Sequence, residues 1–123
     1  FLAFRQNTTS ISGARYAHLP HGPAPDSYDT LFGWLSGPEG ALRLEDASIG
    51  SVDCEVLIAN ESPDYGQFSN SELALLAQVA EKFKDAPARE VSDHSHKEPG
   101  YEQTRDGEII SYEFAHQMRA ALT

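Results

Sequence analysis

The chain has 123 residues, 40% of them hydrophobic, and carries a formal net charge of −10 from 19 acidic and 9 basic residues. That length suits a single domain over residues 1–123 with one ordinary core, and no apolar run approaches the ~18–20 residues of a membrane span. Cys54, the only cysteine, excludes an internal disulfide or a thiolate zinc site within one chain, and with no secretory signal visible a reducing cytoplasm is the expected location.

The opening Phe1-Leu2-Ala3-Phe4 enters an apolar pattern with no capping residue before it. It reads as a helix continuing from upstream in a chain truncated at its N-terminus. Asn7 to Ser10 is a polar connection, and Ile11 to Leu19 holds a short extended segment around Tyr16 that ends at Pro20. The run His21-Gly22-Pro23-Ala24-Pro25 predicts a turn followed by a proline in the first turn of a helix. Tyr28, Leu31, Phe32 and Leu35 then fall on one helical stripe, with Trp34 off it, and Ser36 to Gly40 stops the helix.

Two strand-like pieces follow, Ala41 to Glu45 and Val52 to Ala59, predicting a small antiparallel hairpin around Gly50. Cys54 sits in the second as a half-buried strand residue, and flanking Asp53 and Glu55 disfavour a reactive thiolate. After a polar loop over Asn60 to Gly66, Ser69 with Glu72 makes a capping box and Phe68 with Leu73 a hydrophobic staple. They predict a helix from Asn70 to about Lys84 that turns Leu73, Leu76, Ala77, Ala80 and Phe83 to the core. A short helix from Ala86 to about Ser95 is expected next, capped by Asp85 with Pro87 in its first turn, and Pro99-Gly100 ends any continuation. Asp106-Gly107 predicts a second hairpin joining Tyr101–Thr104 to Glu108–Ile110. Ser111 caps a last helix with Phe114, Met118, Ala121 and Leu122 along one side. The fold class is α+β, mainly α: a helical domain with small antiparallel β-hairpins.

Charge is unevenly spread. Between Arg43 and Lys82 there is no basic residue, while Glu45, Asp46, Asp53, Glu55, Glu61, Asp64, Glu72 and Glu81 fall in that interval. Such a stretch repels phosphate backbones, which argues against direct nucleic-acid binding, and complements a basic protein partner. Glu45, Asp46, Asp53 and Glu55, with the aromatic Trp34 and Tyr101, are the candidate partner-binding residues.

Chemistry finds little purchase. His18, His21, His94, His96 and His116 include no His-Glu-x-x-His pattern, and two-residue spacing on a helix points His94 and His96 about 200° apart. A metal-dependent hydrolase built on them is the alternative reading. The simpler one has late-helix histidines and serines bonding free carbonyls, with Glu98 orienting His96. There is no Gly-x-Ser-x-Gly elbow and no phosphate loop. The expected catalytic residues, metal and cofactor are therefore none.

Four elements occur in a particular order: Ser10-Ile11-Ser12-Gly13-Ala14-Arg15-Tyr16 leading to His21-Gly22-Pro23-Ala24-Pro25; Phe68-Ser69 with Glu72-Leu73; Val91-Ser92-Asp93-His94-Ser95-His96-Lys97-Glu98; and Gly107-Glu108-Ile109-Ile110-Ser111-Tyr112-Glu113-Phe114-Ala115. Together they resemble the SocA-like antitoxin domain, also called Panacea, of bacterial toxin–antitoxin and phage-associated proteins. Tyr101 stands near a position where that family often has tryptophan. The resemblance implies a non-enzymatic domain that neutralises a cognate toxin by direct contact, in at least one family member as an adaptor to a protease. It makes Gly22, Pro23, Ser92, Ser95, His96 and Glu98 a structural motif. Some relatives carry an upstream MqsA-like zinc-finger and helix-turn-helix region, so a further alternative is the dimerisation or sensor half of a transcription regulator. Homo-oligomerisation is left open.

Overall fold

The structure is a computed structural model and describes residues 1–122. In chain order its elements are α1 (Leu2–Asn7), β1 (Tyr16–Leu19), β2 (Gly22–Pro25), α2 (Tyr28–Leu35), β3 (Leu42–Ile49), β4 (Val52–Ala59), a 3-10 turn (Tyr65–Gln67), α3 (Asn70–Phe83), α4 (Ala88–His96), α5 (Pro99–Glu102), β5 (Ile109–Ile110) and a 3-10 helix (Tyr112–Gln117). The class is α+β, mainly helical, with sheets of order β2-β1-β5 and β3-β4. Two compact units result: Phe1–Asp26 together with the described residues from Gly66 onward, and Ser27–Tyr65.

In the first, discontinuous unit β1 is the central strand. It pairs antiparallel with β2, Tyr16 opposite Pro25 and His18 opposite Pro23, and with β5, Tyr16 opposite Ile110. The run from Gly22 to Pro25 is thus a strand, where the sequence predicted a turn entering a helix. Asp26 N–H donates to the Arg15 carbonyl at 2.8 Å. Counting back from that bonded pair, Pro23 and Pro25 fall at alternate positions whose N–H would face away from β1. An edge strand tolerates proline there because no ladder bond is lost.

The second expected hairpin is corrected as well. Ile109–Ile110 pairs with β1, whereas Tyr101 lies in α5. Pro99, expected to end a helix, instead occupies the first turn of one. Its missing N–H costs nothing at that position, so it starts a helix as readily as it stops one.

The capping box of α3 forms as predicted. Glu72 N–H donates to Ser69 Oγ at 3.2 Å, and Ser69 N–H to Glu72 Oε2 at 2.8 Å. We expect Ser69→Ala to cost about 1 kcal/mol, read as a shift in the denaturant midpoint at unchanged slope. The buried stripe is rotated from the predicted one: Leu75 is buried and Leu73, Val79 and Phe83 are half-buried, but Leu76, Ala77 and Ala80 are exposed. Small alanines fit either face, so they do not fix the stripe. In α4 the N-cap is Pro87 with no side-chain bond, not Asp85. The last helix is a 3-10 helix that stops at Gln117, although Ser111 Oγ does accept from Glu113 N–H at 3.2 Å. Its packing comes from Phe1 and Phe4 of α1, whose rings stack on Tyr112 at 4.8 and 5.3 Å. The core comprises Ala3, Ala17, Leu75, Ile110 and Ala115.

Ser27–Tyr65 holds α2 and the β3–β4 hairpin, and no residue within it is buried. β3 extends beyond Glu45 to Ile49, so Asp46, Ala47 and Ser48 are strand despite their low β-propensity. They are held by a continuous register against Val52–Ala59 and a two-residue Gly50-Ser51 turn with Gly50 at φ 65°.

Candidate functional site

In the first unit the motif residues converge where the β1–β2 turn meets α4. Ser92 Oγ donates to the His21 carbonyl at 2.7 Å, and Ser95 Oγ to the Ser92 carbonyl at 2.7 Å. Gly22 is buried, with φ 127°, and a Cβ added to it would lie 2.7 Å from Ser95 Oγ. The turn therefore approaches the helix as closely as a residue without a side chain allows. Pro23 follows in β2.

A stack of three rings lies in the same unit. Tyr101 sits between His18, with centroids 3.6 Å apart, and His96, at 4.4 Å, all nearly parallel. Its hydroxyl donates to the Leu19 carbonyl at 2.5 Å, while His18 Nδ1 pairs with Thr104 Oγ1 at 2.9 Å. His96 Nε2 is buried with no hydrogen-bond partner among the described residues. Burial first, and Asp106 second, hold the Tyr101 phenol above its ordinary range. A raised folded value means that the unfolded chain gives up this proton first. The contribution to stability is therefore intact below about pH 10 and is lost as pH rises through the folded value. Tyr101→Phe should flatten that alkaline decline in a melting-temperature series while costing about 1 kcal/mol at neutral pH for the lost hydroxyl bond.

Glu98 does not orient His96. Its two oxygens accept from Arg119 N–H and Ala120 N–H, each at 2.8 Å, because the chain after the 3-10 helix passes over α5 and presents two free backbone donors to it. Arg119 adds a fork to Glu102, with Nη2 at 2.9 Å, and reaches the Lys97 carbonyl. His94 turns to Phe83, edge to face at 6.1 Å, so the two histidines proposed as metal ligands contact different rings. Among the described residues no three His, Cys, Asp or Glu side chains are grouped as metal ligands would be. A cavity of about 180 Å³ beside the stack is lined by Phe83, Val91, Phe114, Met118, His94 and Tyr101, among others. It is smaller than the ~300 Å³ from which ligand pockets usually start.

The remaining candidate residues belong to Ser27–Tyr65. The register puts Asp46 opposite Glu55 and Ser48 opposite Asp53 on one face of the hairpin, with Ser48 Oγ donating to Asp53 at 2.9 Å. Glu45 lies on the other face, paired with Arg43 at 2.7 Å. Trp34 is 78% exposed on α2. Tyr101, the sixth candidate, is in the other unit, half-buried in the ring stack. Sequence reasoning missed the His18–Tyr101 contact and the Arg119–Glu98–Glu102 cluster. It also missed the exposed Ile49 and Val52 at the hairpin end, for which the β-branched pair flanking Gly50-Ser51 was a usable signal.

Residues 1–101 match the family model described as antitoxin SocA-like, Panacea domain. The chain belongs to the SocA-like antitoxin family. No curated protein and no solved structure matches. The match spans the first three of the four sequence elements, and the Gly22 turn, the serines of α4 and the ring of Tyr101 all lie inside it; the β5 segment lies beyond. Membership of a SocA-like family points to a non-enzymatic role with a toxin as partner in general terms. Among the described residues no helix of this SocA-like domain is long and apolar enough to cross a membrane.

Proposed function

We propose that this SocA-like domain neutralises a cognate toxin in the cytoplasm by direct protein–protein contact. Family membership over residues 1–101 is the observation that carries this reading. The structure is compatible with it in two respects. The ring of His96 lies in a stack, Ser92 and Ser95 hold a turn, Glu98 clips two backbone donors, and an acidic unit stands ready for a basic surface. The motif residues Gly22, Pro23, Ser92, Ser95, His96 and Glu98 serve to hold the first unit together.

Co-expression tests the proposal. The protein encoded beside this gene should arrest growth when expressed alone, growth should return when the SocA-like domain is co-expressed, and the two should co-purify in a fixed ratio. A neighbour that is harmless, or that is neutralised without any association with the domain, would remove its basis.

A further inference from the structure

We infer that the β3–β4 hairpin is the docking arm of this domain and that its occupant is a basic protein surface. This rests on the antitoxin reading and assigns the interface to one element. Alternation along the paired strands places Ile49, Val52, Cys54, Val56 and Ile58 on one face, together with Ala47 and the Arg43–Glu45 ion pair nearer the hairpin's base. Ile49 is 73% exposed, Val52 63% and Val56 36%. Across the arm, the other face carries Asp46, Asp53 and Glu55 toward the turn and the exposed Leu44 and Leu57 toward the base.

Three observations point to a partner. First, an isolated two-stranded hairpin is marginal in water, and β3 and β4 have only each other in their sheet. Within Ser27–Tyr65 no residue is buried. Second, Asp46 and Glu55 lie directly opposite one another, a like-charge pair that works against the hairpin itself. Within Ser27–Tyr65 the single basic residue, Arg43, pairs with Glu45, so no cation of this unit is set against the pair. Third, Ser27–Tyr65 contains eight acidic residues and a single basic one, Arg43, so it carries −7 of the chain's −10. A second copy would bring the same charge against itself, and anionic lipid or nucleic acid would be repelled. A basic protein with an apolar strip satisfies both faces of the arm.

The test uses the full chain and the protein encoded beside its gene. Wild-type domain should bind, Val52→Asp should weaken binding roughly 30-fold, and Asp46→Lys roughly 10-fold at low salt, with a shallower salt dependence. Asp46→Lys also replaces the repulsive pair by an attractive one, so its melting temperature should stay level or rise. A variant that is at least as stable and yet binds worse cannot be explained by misfolding, which keeps the test decisive even if Val52→Asp disturbs the hairpin. If wild type binds and both variants bind equally well, the docking arm is wrong while the antitoxin reading stands. A wild-type chain that does not bind overturns both. A free domain that dimerises in a concentration-dependent manner, with Val52→Asp monomeric, assigns the face to a second copy and overturns the basic partner.

Discussion

Gly22→Ala is expected to lower stability by about 3 kcal/mol, a loss of roughly 10 °C in melting temperature for a chain of this size. Two causes add. A backbone φ of 127° is one that L side chains rarely adopt, and the new Cβ meets Ser95 Oγ at 2.7 Å. The causes can be separated. Ser95→Ala in the Gly22→Ala background removes the clash and leaves the dihedral strain, so it should recover less than half of the loss. Ser95→Ala alone should cost only about 1 kcal/mol for its bond to Ser92. Thermal melts of the four proteins make a double-mutant cycle, and an unchanged Gly22→Ala would show that the turn does not hold this conformation.

Tyr101→Ala should be comparably damaging, at about 3 kcal/mol. It removes the middle ring of the stack, leaves the Leu19 carbonyl without its hydroxyl donor, and opens space between two imidazoles that then face each other across a gap. Because His18 and His96 both lose an aromatic neighbour, their imidazole proton resonances should move downfield from ring-current-shifted positions. Tyr101→Phe should leave those resonances nearly in place. A variant that melts like wild type, with unmoved histidine signals, would contradict the stack.

Local signals in this sequence were legible and distant ones were not. The capping box of Ser69 and Glu72 is set by three residues' spacing, and the Gly50-Ser51 hairpin by strands that adjoin it, so both could be read directly. The partner of Ile109–Ile110 could not: β1 lies over ninety residues earlier, and nothing near Asp106-Gly107 distinguishes a local hairpin from a return to a distant strand. Proline misled for a physical reason. Its fixed φ suits a helix's first turn and an outward-facing edge position alike, and only a neighbouring strand decides between them. At the candidate site the Ser92–Glu98 cluster was visible as a cluster, but its contacts were not. Tyr101 reaches Leu19, 82 residues away, and Glu98 reaches backbone donors at Arg119 and Ala120. Those are products of tertiary packing, and backbone donors have no sequence signature at all.

The discontinuity of the first unit has a consequence for synthesis. Ser27–Tyr65 interrupts it, and all pairings of the β3–β4 hairpin are made within eighteen consecutive residues, Leu42 to Ala59. Hairpin closure itself takes only about 1–10 μs. The β1–β5 pairing has to wait for Ile110, about fifty residues later, or roughly 3–10 s at ordinary elongation rates. During that interval the nascent chain already holds every residue of the β3–β4 hairpin, while the sheet of the first unit still lacks its third strand.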